Sequence, residues 1–196
     1  DLILFMTNTF IRPTDIKLLR HSHIKIVQSP HLYLRMSPPT TKGHTSPYIS
    51  LIRAVEVYIR IIERQQKENK FKENGFLFGV DYETESGRSY YLQQTEILFK
   101  QILEDLNLYQ TTNDEQRSLY SLRHTSISMR LLESENLDLL TLALNSRTSP
   151  NMIHRFYSKH LTSEMMVKKI QSHSNPKLEE SDRKLEKEII EKLNKN

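Results

Sequence analysis

Only one stretch of this chain alternates at the two-residue period of a β-strand, and it is short and broken. Residues 23–27 (HIKIV) and 31–36 (HLYLRM) have β-type composition with alternation and are split by Ser29 and Pro30; residues 48–51 make a third short run. The segment PPTTKGHTSP between the second and third runs reads as a loop by its Pro, Gly and Thr content, and it sets Lys42 at a hairpin tip. Such a stretch supports a small three-stranded antiparallel sheet near the N-terminus and nothing larger.

The rest of the chain reads at helical spacing. Residues 2–10 predict an apolar helix, with no basic segment ahead of it of the kind a signal peptide carries. Pro13 suits a first helical turn, and residues 15–20 continue as a short helix. Ile52, Val55, Ile59 and Ile62 recur at steps of three and four, predicting an amphipathic helix over about residues 51–66. QQKENKFKENG ends it, and FLFGVDYETESGRS is a loop or short strand. A long helix follows over 89–108, with Leu92, Phe99, Ile102 and Leu106 as its expected buried stripe. Three further helices are expected over 121–133, 137–144 and 149–157, the last started by Ser149 and Pro150. A charged helix over 178–193 carries Leu185, Ile189 and Leu193 on one edge. The predicted class is mainly α with a small three-stranded antiparallel sheet near the N-terminus, an α+β arrangement.

With 196 residues, 37% of them hydrophobic, the chain can bury a core without metal or disulfide staples. The cysteine count of 0 excludes a disulfide framework, thiolate metal sites and a cysteine nucleophile, and suits a reducing cytoplasm. No apolar run approaches the roughly 20 residues of a membrane-spanning helix. The histidines His21, His23, His31 and His44 cluster in sequence, but no HExxH or comparable spacing points to a metal.

The net charge of +4 is modest, but it is laid out in blocks. Residues 11–53 hold seven cations against one acid, residues 61–116 eleven acids against six bases, and residues 117–170 eight bases against four acids. Two basic blocks brought together by folding would form a phosphate-seeking face.

Three segments, in order, resemble the catalytic domain of the tyrosine recombinases, the family that includes the phage and transposon integrases. FIRPTDIKLLRHSHIKI at 10–26 is similar to the family's Arg-Pro-Ser-Glu helix start leading into a first strand, with Arg12 as its arginine and Asp15 as its acidic partner. TTKGHTSP at 40–47 is similar to the family's hairpin loop, with Lys42 as its lysine. YSLRHTSISMRLLES at 120–134 and LALNSRTSPNMIHRFYSKHL at 142–161 resemble it most closely, giving Arg123 as the second arginine and Tyr157 as the nucleophile. Two positions depart from the common pattern: Tyr120 stands where the family usually has His, and Thr148 where it usually has His or Trp. A branch of phage-like integrases has a similar Thr-Ser-x-x-Met-Ile stretch before its tyrosine.

The residue types suit the implied chemistry. A phosphodiester under attack gains negative charge on its non-bridging oxygens, and two always-charged guanidiniums, Arg12 and Arg123, are suited to clamp it. A tyrosine attacking phosphorus conserves the bond energy of the broken strand in a phosphotyrosine, so rejoining needs no ATP. An ammonium on the hairpin, Lys42, is suited to protonate the leaving 5′ oxygen. Tyr120 and Thr148 offer hydroxyl donors, but neither replaces imidazole as a proton carrier near neutral pH, so the expected chemistry is slow or assisted by His124 or His154. Asp15 reads as support for an arginine.

The resemblance implies cleavage and rejoining of double-stranded DNA through a 3′-phosphotyrosyl link, with no cofactor and no required metal. It further implies self-association on DNA as a tetrameric synapse, no membrane partner, and a nucleoid-associated place in a bacterial cytoplasm. The expected organisation is a catalytic domain over 1–162, a charged helical tail over 163–196, and an upstream DNA-binding domain outside this sequence. Two other readings stay open: a DNA-binding protein on the same fold that has lost cleavage, and a helical protein-interaction domain with no DNA role.

Overall fold

The computed structural model describes residues 1–39, 46–111, 114–134, 137–157, 163–171 and 176–193. Lys42, expected at a hairpin tip, lies outside the described residues. The chain divides into two units, Asp1–Tyr157 and Ser158–Asn196.

In the first unit, α1 (Leu2–Thr9) and α2 (Pro13–Ile16) precede a 3-10 turn (His21–His23) and the strands β1 (Ile24–Val27), β2 (Tyr33–Met36) and β3 (Tyr48–Ile49). The sheet is antiparallel in the order β1-β2-β3, with Ile24 opposite Met36 and Met36 in turn opposite Tyr48. On central β2, Leu34 and Met36 face the core while Arg35 faces out, as a half-buried sheet requires. Helices α3 (Arg53–Lys67), α4 (Glu85–Asp105), α5 (Leu119–Glu133), α6 (Leu139–Asn145) and α7 (Pro150–Tyr157) complete the unit.

Helices α4 to α7 each start on a side chain that satisfies a free N–H group. Thr84 Oγ1 accepts from Gly87 N at 3.1 Å, Asp138 Oδ1 from Thr141 N at 2.8 Å, and Ser149 Oγ from Met152 N at 3.1 Å. Ser118 and Ser121 cap α5 reciprocally.

A main core joins α1, α3, the sheet, α4 and the start of α5 through residues such as Phe5, Met6, Leu34, Ile61, Leu77, Phe99 and Leu119. A second, smaller cluster contains Phe10, Ile127, Leu142, Ala143, Ile153 and Tyr157. The buried face of α3 is rotated from the expected one. Val55, Tyr58, Ile61 and Gln65 point inward and Ile62 packs at the edge of the core, while Ile52 and Ile59 are exposed; buried His21 gives Tyr58 and Gln65 polar partners there. On α4, Phe99 and Leu103 are buried and Ile102 and Leu106 are exposed, so the expected stripe is again only partly right.

The second unit contains a 3-10 turn (Glu164–Met166), α8 (Val167–Gln171) and α9 (Pro176–Leu193). Helix α9 carries i,i+4 pairs, Arg183 with Glu179 at 2.7 Å and Lys184 with Glu180 at 3.0 Å. Leu185 and Ile189 are exposed, and the Leu193 side chain lies outside the described ones. Among the described residues, no helix is long and apolar enough to cross a membrane.

Candidate active site

Three chain segments meet beside the smaller core: the turn after α1, the first turns of α5, and the turn between α6 and α7. The first and third are each shaped by a non-glycine residue in the left-handed region, Phe10 at φ 56° and Arg147 at φ 55°. A side chain in that region costs roughly 1–2 kcal/mol, so both turns must be enforced by their surroundings.

What these turns present is main-chain oxygen. The Phe10 carbonyl accepts from Arg123 Nη1, and the Arg147 carbonyl accepts from Arg12 Nη2 at 2.5 Å. The Ser146 carbonyl accepts from Arg123 Nη2. Both candidate clamp arginines are therefore oriented by backbone oxygens from turns far away in sequence.

Asn145 fixes the α6–α7 turn from the other side. Its Oδ1 accepts from Ile49 N at 2.9 Å and its Nδ2 donates to Ile49 O at 3.0 Å, so the amide pairs with β3 as a strand neighbour would and covers that edge. The sheet and the end of α6 are thereby joined two residues before Arg147.

The charges are unevenly matched. Asp15, only 1% exposed, lies 3.8 Å from an Arg12 nitrogen and 3.6 Å from an Arg147 nitrogen. Arg147 also lies over the Tyr48 ring, 5.4 Å from its centroid. Arg123 is 3% exposed, and its Nε, also buried, has no hydrogen-bond partner among the described residues. Burial, and next the Arg12 charge, pull its pKa downward from the usual arginine value; its other electrostatic neighbours are Tyr120, Tyr157 and Tyr48. Arg12 and Arg147 thus share the Asp15 carboxylate, and the buried Arg123 guanidinium rests on two backbone carbonyls beside them. Always-charged forked donors gathered in one place are suited to an anion.

Tyr157 ends α7 at 6% exposure, packed into the smaller core. Burial pushes its phenol up to about 12; Arg123 and Arg12 act in the opposite direction. The His124 ring lies between two tyrosines, with centroids 5.0 Å from Tyr157 and 4.9 Å from Tyr120. Tyr120 is 42% exposed on the first turn of α5.

Of the six residues singled out from sequence, Arg12, Tyr120, Arg123 and Tyr157 share this place. Thr148 is half-buried directly after Arg147, with its N–H donating to Ala143 O at 2.9 Å. Lys42 lies outside the described residues. His154 is exposed on α7. Sequence reasoning missed Arg147 and the carbonyls of Phe10 and Ser146. The first had a weak signal in its position beside Thr148, whereas carbonyl oxygens have none.

No family model matches the chain, and no curated protein matches it. Among solved structures it is similar to the crystal structure of XerA recombinase, with a TM-score of 0.58 and 14% identity, covering 88% of this chain and 56% of that one. The chain therefore spans just over half the length of the recombinase it resembles. At that identity the likeness establishes the fold: these helices and this three-stranded sheet have the architecture of a tyrosine recombinase catalytic domain.

Proposed function

We propose that this chain is the catalytic part of a tyrosine recombinase or integrase from a phage or mobile element, cutting and rejoining duplex DNA through Tyr157 in site-specific integration or excision. The observation that carries the reading is the meeting of Arg12, Arg123 and Tyr157 at one seam. A phosphodiester carries one negative charge and approaches two as phosphorus becomes five-coordinate, which suits a pair of guanidiniums.

In this reading the Tyr157 oxygen attacks phosphorus, the bond from phosphorus to the 5′ oxygen breaks, and a 3′-phosphotyrosine forms. Arg12 and Arg123 hold the non-bridging oxygens. Lys42 protonates the departing 5′ oxygen, and the Tyr157 proton passes to a neighbouring base. Tyr120 and Thr148 add hydroxyl donors. A 5′-hydroxyl attacking the phosphotyrosine reverses the steps and rejoins the strand. Two strands exchanged between two duplexes require several copies, which a tetrameric synapse on DNA supplies.

A duplex with a 5′-bridging phosphorothiolate tests the proposal, because the sulfur leaves without a proton and traps the intermediate. A protein–DNA adduct that survives denaturation and is absent in Tyr157→Phe is the expected result. DNA binding without adduct at high protein concentration would instead favour a binding protein on this fold, the reading that Tyr120 and Thr148 motivate. No DNA shift at low salt would point to a protein-interaction domain.

A further inference from the structure

We propose that Arg147 is a positioning residue for Arg12, setting the orientation of the phosphate clamp through two separate links; this rests on the recombinase reading above. The first link is main chain: the Arg147 carbonyl accepts from Arg12 Nη2 at 2.5 Å. The second is charge: the Arg147 guanidinium lies 3.6 Å from the same Asp15 oxygen that Arg12 approaches at 3.8 Å.

The two links depend on each other. For the carbonyl to face Arg12, residue 147 must be left-handed, as its φ of 55° shows. Glycine fits that conformation without cost, yet an arginine is present, and its side chain is 6% exposed between Asp15 and the Tyr48 ring. If a turn were the whole requirement, glycine would serve better. The guanidinium sets a second cation on the Asp15 oxygen that Arg12 approaches, so the carboxylate's pull is divided between the two arginines and less of the Arg12 charge is drawn from the phosphate. Arg147 also raises the local positive charge at the seam, and Asn145 anchors the same turn to β3.

Arg147→Gly separates the contributions, because it removes the guanidinium and relieves the left-handed residue while keeping the carbonyl. In the full chain, single-turnover cleavage of the phosphorothiolate duplex should slow on the order of 100-fold, with DNA affinity changed less than about twofold. Arg147→Lys should recover part of the rate by restoring a cation beside Asp15. The variant Arg12→Ala with Arg147→Gly should be no slower than Arg12→Ala alone, since a positioning residue acts only through the group it positions. Wild-type rate in Arg147→Gly, or losses that multiply in the double variant, would overturn the inference while leaving the recombinase reading intact. If the wild-type chain forms no adduct, that reading fails, and the melting temperatures of the wild type, Arg12→Ala, Arg147→Gly and their double variant decide the coupling. A double-variant fall smaller than the sum of the single falls supports the link between Arg147 and Arg12, and additive falls overturn it.

Discussion

His124 packs its ring against Tyr157, centroids 5.0 Å apart and planes tilted by 41°. One helical turn earlier, Tyr120 meets the same imidazole nearly edge-on at 4.9 Å. The candidate nucleophile is thus joined by an aromatic row to the position where the resemblance leads one to expect a histidine. Tyr120→His should place a second imidazole in that row, with a proton carrier that works near neutral pH. Cleavage of an ordinary nicked duplex is expected to speed up by about tenfold or more, with the largest gain between about pH 6 and 8. Single-turnover rates across pH measure this; an unchanged rate means position 120 does not use a proton carrier.

Tyr157 should be visible in alkaline stability. Burial pushes its phenol up to about 12, so the folded chain keeps it neutral beyond the ordinary value of about 10. Its contribution is full below that ordinary value and is lost as pH rises through the folded one. Urea denaturation from about pH 9 to 12 should show a fall less steep in Tyr157→Phe by up to about 1.4 kcal/mol per pH unit. Tyr58, also pushed up to about 12 by burial, and Tyr48 and Tyr91, raised by the same cause, remain in both proteins and contribute to their common slope.

Asp15→Asn keeps the shape and removes the charge between two guanidiniums. With Asp15 1% exposed, the loss is expected to reach about 2–4 kcal/mol, since two buried guanidiniums lose a counter-charge they share. Urea midpoints at neutral pH read the effect, and a change under about 0.5 kcal/mol would show that the Asp15 charge contributes little to holding them.

Gly79 permits a close approach of Tyr91 and Arg88 to the backbone. It has φ 60°, and a methyl there would lie 2.7 Å from two Tyr91 ring carbons and 2.9 Å from Arg88 Nη1. Arg88, 2% exposed, donates from Nε to Lys17 O at 2.6 Å and from Nη1 to the Phe78 and Gly79 carbonyls, both at 2.7 Å. This side chain ties α4 to the segment just after α2. Gly79→Ala should destabilise by about 2–4 kcal/mol, combining a left-handed alanine with overpacking, as thermal denaturation would show.

Acid should weaken the same half of the molecule through His21. Its Nε2 is 2.8 Å from Gln65 Oε1 and its Nδ1 is 3.3 Å from the Tyr58 hydroxyl, which fits a neutral ring donating to Gln65 and accepting from Tyr58. Burial lowers its pKa, with the Gln65 bond acting in the opposite direction. A ring kept neutral by folding contributes fully above the ordinary value of about 6.5 and loses that contribution as pH falls below it. Denaturation midpoints between about pH 7 and 5 should fall less in His21→Gln than in the wild-type chain.

The helices from 119 to 157 were legible because their starts are marked by serine, aspartate and proline and their apolar residues keep helical spacing. The rotation of α3 was not. Apolar spacing ignores polar side chains, and Gln65 is buried through bonds to His21 and to Leu77 O. Arg88 escaped for the same reason, since its partners are carbonyls. At the site, residue types pointed to Arg12, Arg123 and Tyr157. The involvement of Arg147 depends on a left-handed backbone at a residue whose identity does not announce one.

Because the Phe10, Ser146 and Arg147 oxygens that orient the two arginines belong to the main chain, every amino acid can supply them. Phe10 and Ser146 can change side chain so long as the turns keep their shape, whereas Asn145 and Arg147 are held by what their side chains bind. One residue added or removed between 9 and 13, or between 145 and 149, would rotate those oxygens away, so the site tolerates rewriting far better than it tolerates a change in length.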